Sequence, residues 1–285
     1  MMIACYDVGG TSFRGGLFRE GKLEALVQEK TREDFCNQIK EIFSIHHSKG
    51  KPDFLAVVVP GPVQDGILLK APPLRIIDPI TVKEELSGLC KYVFIENDLN
   101  AAVRAELQYG IGKHYKNFYL LTLSTGIGAG IVLDGKIIGG CSGEFGHSVL
   151  ERRPELQLRC GCGNYGCWVS LASGSGIKSL AKILFGEEKT PEDIFSLADK
   201  GDDLSIKLLK LVRDYNAQGI GNMINAFQME AITCMGSIGL NQFDKIIPNK
   251  EEIKRYSINP IPPIMKTELG DNIGLYGAYL LASKR

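Results

Sequence analysis

The sequence predicts an α/β protein of two domains, and three observations carry that expectation. Two strand–glycine-turn–strand units open the two halves of the chain, one at Ile3 and one at Tyr119. Each is followed by segments that alternate between helical and strand patterns, as layered α/β folds require. The chain has 285 residues, 44% of them hydrophobic, which is enough for a large core, and more than one domain is expected at that length.

Ile3 to Asp7 reads as a buried strand, Gly9-Gly10-Thr11 as a turn, and Phe13 to Phe18 as the returning strand. Arg19-Glu20-Gly21-Lys22 turns again into Leu23 to Val27, completing a meander with glycine at its reversals. Phe35 to His47 is an amphipathic helix, and Phe54 to Val59 is a buried strand ended by Pro60-Gly61-Pro62. Val82 to Leu89 is predicted as a helix, Tyr92 to Glu96 as a strand and Leu99 to Tyr109 as a helix.

The second half repeats the opening. Tyr119 to Ser124 is a strand, Thr125-Gly126-Ile127-Gly128 a turn, and Gly130 to Leu133 a strand, with Asp134-Gly135-Lys136 leading into Ile137-Ile138. The likeness of the two meanders reads as a diverged internal duplication. Gly176 to Phe185 and Leu204 to Phe227 are helical, Ala231 to Met235 is a strand, and Asp271 can cap a last helix from Ile273 to Ala282. Three prolines make Pro260 to Pro263 a loop or edge strand. Two α/β domains should leave a cleft between them, where ligands usually sit.

Composition narrows the function. Lys+Arg and Asp+Glu both number 33, so the net charge is zero and nucleic acid or an anionic membrane finds no electrostatic footprint. No apolar run approaches the ~20 residues a membrane-spanning helix needs. A short apolar run, Ile3 to Tyr6, leads to Asp7 without a basic leader, so no secretory signal is expected and the cytoplasm is the expected compartment. Of the 8 cysteines, Cys5, Cys36, Cys90, Cys141 and Cys234 are scattered, while Cys160, Cys162 and Cys167 cluster. In a reducing compartment such a cluster points to a metal rather than to disulfides.

Four motifs carry chemistry. Asp7-Val8-Gly9-Gly10-Thr11 sets a carboxylate at a strand end before two glycines and a hydroxyl. Glycines let backbone N–H groups approach phosphate oxygens, and Asp7 suits Mg²⁺ held through water. Ser124-Thr125-Gly126-Ile127-Gly128 repeats the device without the acid. Most glycine hairpins are only hairpins, so it is the pair of them, one with an acid, that points to phosphate. Phe94-Ile95-Glu96-Asn97-Asp98 runs a strand into two polar groups and then a helix. Asn and Asp there suit a helix N-cap, and the same place suits a carboxylate that accepts a proton from a hydroxyl. Finally, Cys160-Gly161-Cys162-Gly163-Asn164-Tyr165-Gly166-Cys167 offers three thiolates on a loop pliant enough to wrap one ion, with His147 as the best fourth ligand. The alternative is three unligated thiols and an unrelated histidine. Three Cys and one His would close a tetrahedral Zn²⁺ site and make it structural.

These residues resemble the ROK family of sugar kinases, repressors and open reading frames, over nearly the whole chain. The resemblance rests on Asp7 to Thr11, Pro60-Gly61-Pro62, Glu96-Asn97-Asp98 with Asn100-Ala101-Ala102, and Thr125 to Gly128. It continues through Gly143-Glu144-Phe145-Gly146-His147, the Cys160 to Cys167 cluster, Leu269-Gly270-Asp271 and Gly277-Ala278. It implies the actin-like, hexokinase-type ATPase fold (ribonuclease H-like). Residues 1–116 with 271–285 would form a smaller domain, 117–270 a larger one with the zinc loop, and the last helix would pack on the first domain. It implies ATP-dependent phosphorylation of a hexose, with glucose first and N-acetylmannosamine or another N-acetylhexosamine as alternative. Asp98 would be the catalytic base. Gly61, Asn97, Glu144 and His147 would join it in holding the sugar, with His147 binding zinc through its other nitrogen. Asp7, Gly9, Gly10, Thr11, Thr125 and Gly126 would hold the phosphates of Mg·ATP, and Gly236 matches the adenosine-loop glycine. Family members are often dimers or tetramers, and no feature of the sequence fixes the oligomeric state.

Two departures stand out. The family's Glu two residues after the last cysteine is Val169 here, and a Pro-Asn-Leu element that offers Asn to the sugar reads Pro72-Pro73-Leu74. Each loss of a hydrogen bond to a charged group is worth ~1.5–3 kcal/mol. They motivate a competing class, a non-catalytic sugar-binding protein, although a pure binder has no need of both Asp7 and Asp98. A repressor of the same family would need a DNA-binding domain ahead of Asp7, which only six residues precede. Arg14 suits a solvated strand position, and Trp168 suits the core or the zinc loop better than a sugar platform.

Overall fold

The structure, a computed structural model, describes residues 1–138, 143–153 and 158–283, and Cys141 lies outside them. The chain divides into two compact units, Met1–Gly110 with Asp271–Arg285, and Ile111–Gly270.

In the first unit, β1 (Met2–Val8), β2 (Ser12–Arg19) and β3 (Lys22–Lys30) form the expected meander. Helix α1 (Phe35–Ser48) leads to β4 (Phe54–Val59), and the hairpin β5 (Val63–Gln64) and β6 (Ile67–Leu68) follows. A short α2 (Val82–Leu86), then β7 (Tyr92–Asn97) and α3 (Asp98–Tyr109), complete it. The sheet order is β3-β2-β1-β4-β7, with β1, β4 and β7 parallel. Alternation along β1 divides its side chains. Ala4, Tyr6 and Val8 join the core that holds Phe35, Ile39 and Ile42 of α1, while Ile3 and Cys5 face the opposite way. Asp7 shares the parity of Ile3 and Cys5.

Helix α2 stops three residues before the expected Leu89, because Ser87 and Leu89 turn back onto the carbonyls of Glu84 and Leu86. Buried His46, in the last turn of α1, stacks on Tyr6 with ring centroids 5.7 Å apart, and its Nδ1 lies 3.1 Å from the Tyr6 hydroxyl. Its Nε2 has no hydrogen-bond partner among the described residues. Burial and the nearby Lys49 lower the His46 pKa to about 4.

The second unit repeats the first. Strands β8 (Phe118–Leu123), β9 (Ile127–Leu133) and β10 (Lys136–Ile137) form the second meander. Helices α4 (Trp168–Ala172), α5 (Gly174–Phe185), α6 (Pro191–Asp199) and α7 (Asp203–Ala226) precede β11 (Ala231–Met235). Then come α8 (Ser237–Asn241), α9 (Phe243–Ile246), α10 (Lys250–Lys254) and β12 (Ile264–Lys266). The order β10-β9-β8-β11-β12 matches the first sheet strand for strand, antiparallel in the meander and parallel beyond it. The internal duplication is thus visible in topology. The proline-rich segment ends at an edge strand, β12. Trp168 is 1% exposed and its Nε1 donates to Asn216 Oδ1 at 2.8 Å, so it belongs to the core.

The chain ends in α11 (Ile273–Ser283), which packs on α3, β1 and β4 within the first unit. A Cβ at Gly277 would stand 2.2 Å from the Ala101 carbonyl of α3, so this helix pair closes only with glycine there. Asp271 lies in a 3₁₀ turn (Gly270–Asn272) ahead of α11, with its carboxylate directed to Arg14. Among the described residues no helix is long and apolar enough to cross a membrane.

Candidate functional site

The two units carry separate groups of candidate residues. In the first, the β1–β2 turn is pinned from both sides. Gly9 N donates to Ser12 O at 2.9 Å, the Thr31 hydroxyl donates to Gly9 O at 2.6 Å, and Thr31 N donates to Thr11 O at 3.1 Å. Thr11 itself is exposed at the tip.

Asp7 stands opposite Arg14 in the β1–β2 register, so their side chains share a face. Arg14 is not a solvated strand residue. Its side chain is 16% exposed and its guanidinium lies 3.6 Å from Asp271. A Cβ at Gly274 of α11 would meet Asp7 Oδ2 at 2.2 Å, so the helix backbone covers the carboxylate. Asp7 keeps partial solvent access, yet this packing desolvates it and raises its pKa to about 6. Arg14 opposes the rise and Asp271 adds to it. The group Asp7, Arg14 and Asp271 suits a divalent cation beside phosphate, which would replace lost solvation with charge.

At the end of β7, Asn97 takes the capping role. Its Oδ1 accepts from Asn100 N at 3.0 Å, and its Nδ2 donates to Gly61 O at 3.0 Å. Asp98 opens α3 beside it, with Oδ1 accepting from its neighbour Leu99 N at 2.8 Å. Glu96 braces the pair by accepting from Asn97 N and from Asn100 Nδ2. Gly61 has φ +115°, and a Cβ there would lie 2.1 Å from the Lys70 carbonyl. Only glycine permits that approach.

In the second unit the turn closes tighter than expected. Ser124 N donates to Gly126 O at 2.9 Å, and β9 already begins at Ile127. The start of α5 backs it, with Gly174 N on Ser124 O at 2.8 Å and Ser175 N on Thr125 O at 3.3 Å. Thr125 is exposed. Val169 of α4 faces this turn, its Cγ2 standing 4.0 Å from where a Gly126 Cβ would be. Gly236, between β11 and α8, has φ +88° and packs on the Leu123 carbonyl at the end of β8.

Glu144 and His147 share a short 3₁₀ turn, and their side chains are 73% and 40% exposed. His147 Nε2 lies 3.5 Å from Glu144, while Nδ1 lies 3.3 Å from Cys160 Sγ. The ring therefore turns one nitrogen to the cysteine loop and the other to the carboxylate. One ligand atom from each of His147, Cys160, Cys162 and Cys167 falls within 4.8 Å of all the others. Cys162 and Cys167 sulfurs are 3.8 Å apart, the edge of a tetrahedron with about 2.3 Å Zn–S bonds. The donor set fits zinc. Backbone donation from Asn164 lowers the Cys162 pKa to about 7, whereas burial raises Cys167 to about 12.

Sequence reasoning missed Arg14 and Asp271 as neighbours of Asp7, and Thr31 as a partner of the Gly9 turn. The hairpin register could have placed Arg14 opposite Asp7. Asp271 approaches from the far end of the chain and carried no such signal.

Comparisons with known proteins show the family. The model of the ROK family matches residues 3–285. The chain is 30% identical over 298 residues to the N-acetyl-D-glucosamine kinase of Haemophilus influenzae (strain 86-028NP), spanning 96% of this chain and 97% of that protein. It is 29% identical over 311 residues to the glucokinase of Thermotoga maritima, spanning 98% and 96% respectively. The crystal structure of the ROK hexokinase from Thermus thermophilus superposes with a TM-score of 0.80 at 27% identity, covering 99% of this chain and 98% of that one.

Proposed function

Because the chain belongs to the ROK family and has its actin-like fold, we propose that it is a sugar kinase that transfers the γ-phosphoryl group of ATP to the 6-hydroxyl of a hexose. The observation that carries the assignment is the end of β7. Asn97 supplies the cap and binds Gly61, so the adjoining carboxylate of Asp98 is not the group that caps α3.

In the transfer, the sugar oxygen bonds to the γ-phosphorus as the bond to the bridging oxygen of ADP breaks. Asp98 takes the hydroxyl proton. Positioning and neutralised charge supply most of the rate in such reactions. Within the first unit, Gly61 and Asn97 are the residues assigned to sugar hydroxyls; within the second, Glu144 and His147 are assigned to them. Within the first unit, Gly9, Gly10 and Thr11 are assigned to phosphate; within the second, Thr125 and Gly126 are assigned to phosphate and Gly236 to adenosine. Asp7 would hold Mg²⁺ through water, and Arg14 would help to keep that carboxylate ionised. Bound Mg²⁺ neutralises charge on the phosphates. His147, Cys160, Cys162 and Cys167 would hold a structural Zn²⁺ that orients His147 toward the sugar. A kinase that draws on ATP and carries free thiols suits the cytoplasm, which supplies the first and keeps the second reduced.

Glucose is the first candidate substrate, because most of the polar groups expected around the sugar remain. An N-acetylhexosamine is the second, favoured by Val169, whose apolar side chain stands where the family has Glu. Asp98→Asn tests the role of the base. Loss of a general base costs about 10²–10⁴-fold in turnover, here with the melting temperature kept. Full turnover in the Asp98→Asn variant refutes it.

A further inference from the structure

In the first unit, one continuous run of contacts links the end of β7 to the phosphate turn. It starts at Asn97, whose Nδ2 bonds Gly61 O at 3.0 Å. The Gly61 backbone lies on the Lys70 carbonyl, where even a Cβ would intrude to 2.1 Å. From Lys70 the chain enters a closed loop. Ala71 and Ile76 exchange backbone hydrogen bonds of 3.0 and 3.1 Å, and Leu74 N and Arg75 N close the 3₁₀ turn Pro72–Leu74. Ala71 and Leu74 are anchored in the core, at 0% and 7% exposure, so the loop cannot slide. Its tip is Pro73. A Cβ on Gly10 would meet Pro73 Cβ at 2.8 Å, with the Pro73 carbonyl at 3.6 Å. The pyrrolidine ring thus lies against the turn Gly9-Gly10-Thr11.

The residue type matters. A proline side chain neither donates nor accepts a hydrogen bond, so position 73 cannot read a sugar hydroxyl as an Asn would. Its fixed φ holds the ring in one place. The geometry points to Pro73 as a positioning residue for the phosphoryl donor: position 73 serves the phosphate turn, and the contact with the sugar is given up. This role rests on the turn holding ATP phosphates, as proposed above. Pro73 touches Gly10 and acts through it.

The size of the effect follows from chain entropy. Freeing a proline-constrained position weakens a folding equilibrium by a factor of roughly two to five, and nucleotide binding bears the same loss to the extent that it orders the turn. Restoring an amide that can bond a hydroxyl returns roughly two- to tenfold in sugar affinity.

The test uses the full chain as wild type, Pro73→Ala and Pro73→Asn. ATP and sugar are varied separately, with glucose and N-acetylglucosamine as sugars, and each protein is titrated calorimetrically with Mg·ADP. Pro73→Ala is expected to raise the KM for ATP and the Kd for Mg·ADP roughly two- to fivefold, leaving the KM for sugar in place. Pro73→Asn is expected to raise the first pair and lower the KM for sugar, so that the two substrates move in opposite directions. An Ala variant with wild-type affinity for ATP and Mg·ADP overturns the proposal. So does an equal rise in both KM values, or a variant that no longer folds, since either marks a merely structural residue. If the wild type releases no ADP with any sugar, it is the kinase assignment that fails, and the Mg·ADP titration still decides the role of Pro73.

Discussion

Lowering the pH should unlock the first unit at His46. The imidazole is fully buried, its Nδ1 meets the Tyr6 hydroxyl, and its Nε2 has no partner among the described residues. Its pKa falls from 6.5 to about 4, chiefly through burial. The depressed value fixes the sign. Between those values the unfolded chain binds a proton that the folded chain refuses, so stability is intact above pH 6.5 and drains away as the pH falls toward 4. A gap of this size corresponds to about 3 kcal/mol by pH 4, a large part of the stability of an ordinary domain. The assay is urea denaturation at pH 7, 5.5 and 4.5 for wild type and His46→Gln. Gln keeps an acceptor for Tyr6 but cannot titrate. The wild type should lose about 2 kcal/mol more than the variant between pH 7 and 4.5. Parallel losses would show that His46 protonates in the folded state without cost.

Other expectations follow from the same contacts. Chelation of zinc, or Cys167→Ser, should loosen the loop that aligns His147; metal analysis should find about one zinc per chain, and sugar KM should rise before ATP KM does. A protein that purifies without zinc and keeps its sugar KM contradicts the assigned ligand set. Val169→Glu places an acid beside the 124–126 turn and should shift the kcat/KM ratio toward glucose over N-acetylglucosamine by roughly tenfold, read in a competition assay. Gly61→Ala forces a Cβ onto the Lys70 carbonyl at a position with φ +115°. It should cost ~1–3 kcal/mol by chemical denaturation and weaken sugar binding, since the Gly61 carbonyl also holds Asn97.

Local pattern made much of this protein legible. The strands of both meanders alternate or run apolar, glycine marks their reversals, and the cysteine spacing singles out a loop whose sulfurs gather within 4.8 Å of one another and of a His147 ring nitrogen. Thr190-Pro191 with Asp193, and Asn249 with Glu252, form capping boxes that open α6 and α10. Those signatures were present in the sequence and went unread, and α10 behind the second of them has only 5 residues. What the residues alone could not place was long-range, although the family resemblance already returned the last helix to the first domain. Arg14 meets Asp271 across most of the chain, and Gly274 closes on Asp7 only because α11 returns to β1. The Asn97-Asp98 pair shows a different limit. Capping and catalysis favour the same residues at a strand end, and only the hydrogen bonds of Asn97 show which of the two neighbours caps α3.

The central claim is phosphoryl transfer from ATP to a sugar hydroxyl. Its most direct test is ADP release by the purified protein with Mg·ATP, across glucose, mannose, N-acetylglucosamine and N-acetylmannosamine, with phosphorus NMR of the product. ADP should form only when a sugar is present, in equal amount to a new sugar 6-phosphate, and Asp98→Asn should slow both about 10²–10⁴-fold. Tight sugar binding with no ADP and no phosphorylated sugar from any of the four would contradict it and identify a sugar-binding protein instead.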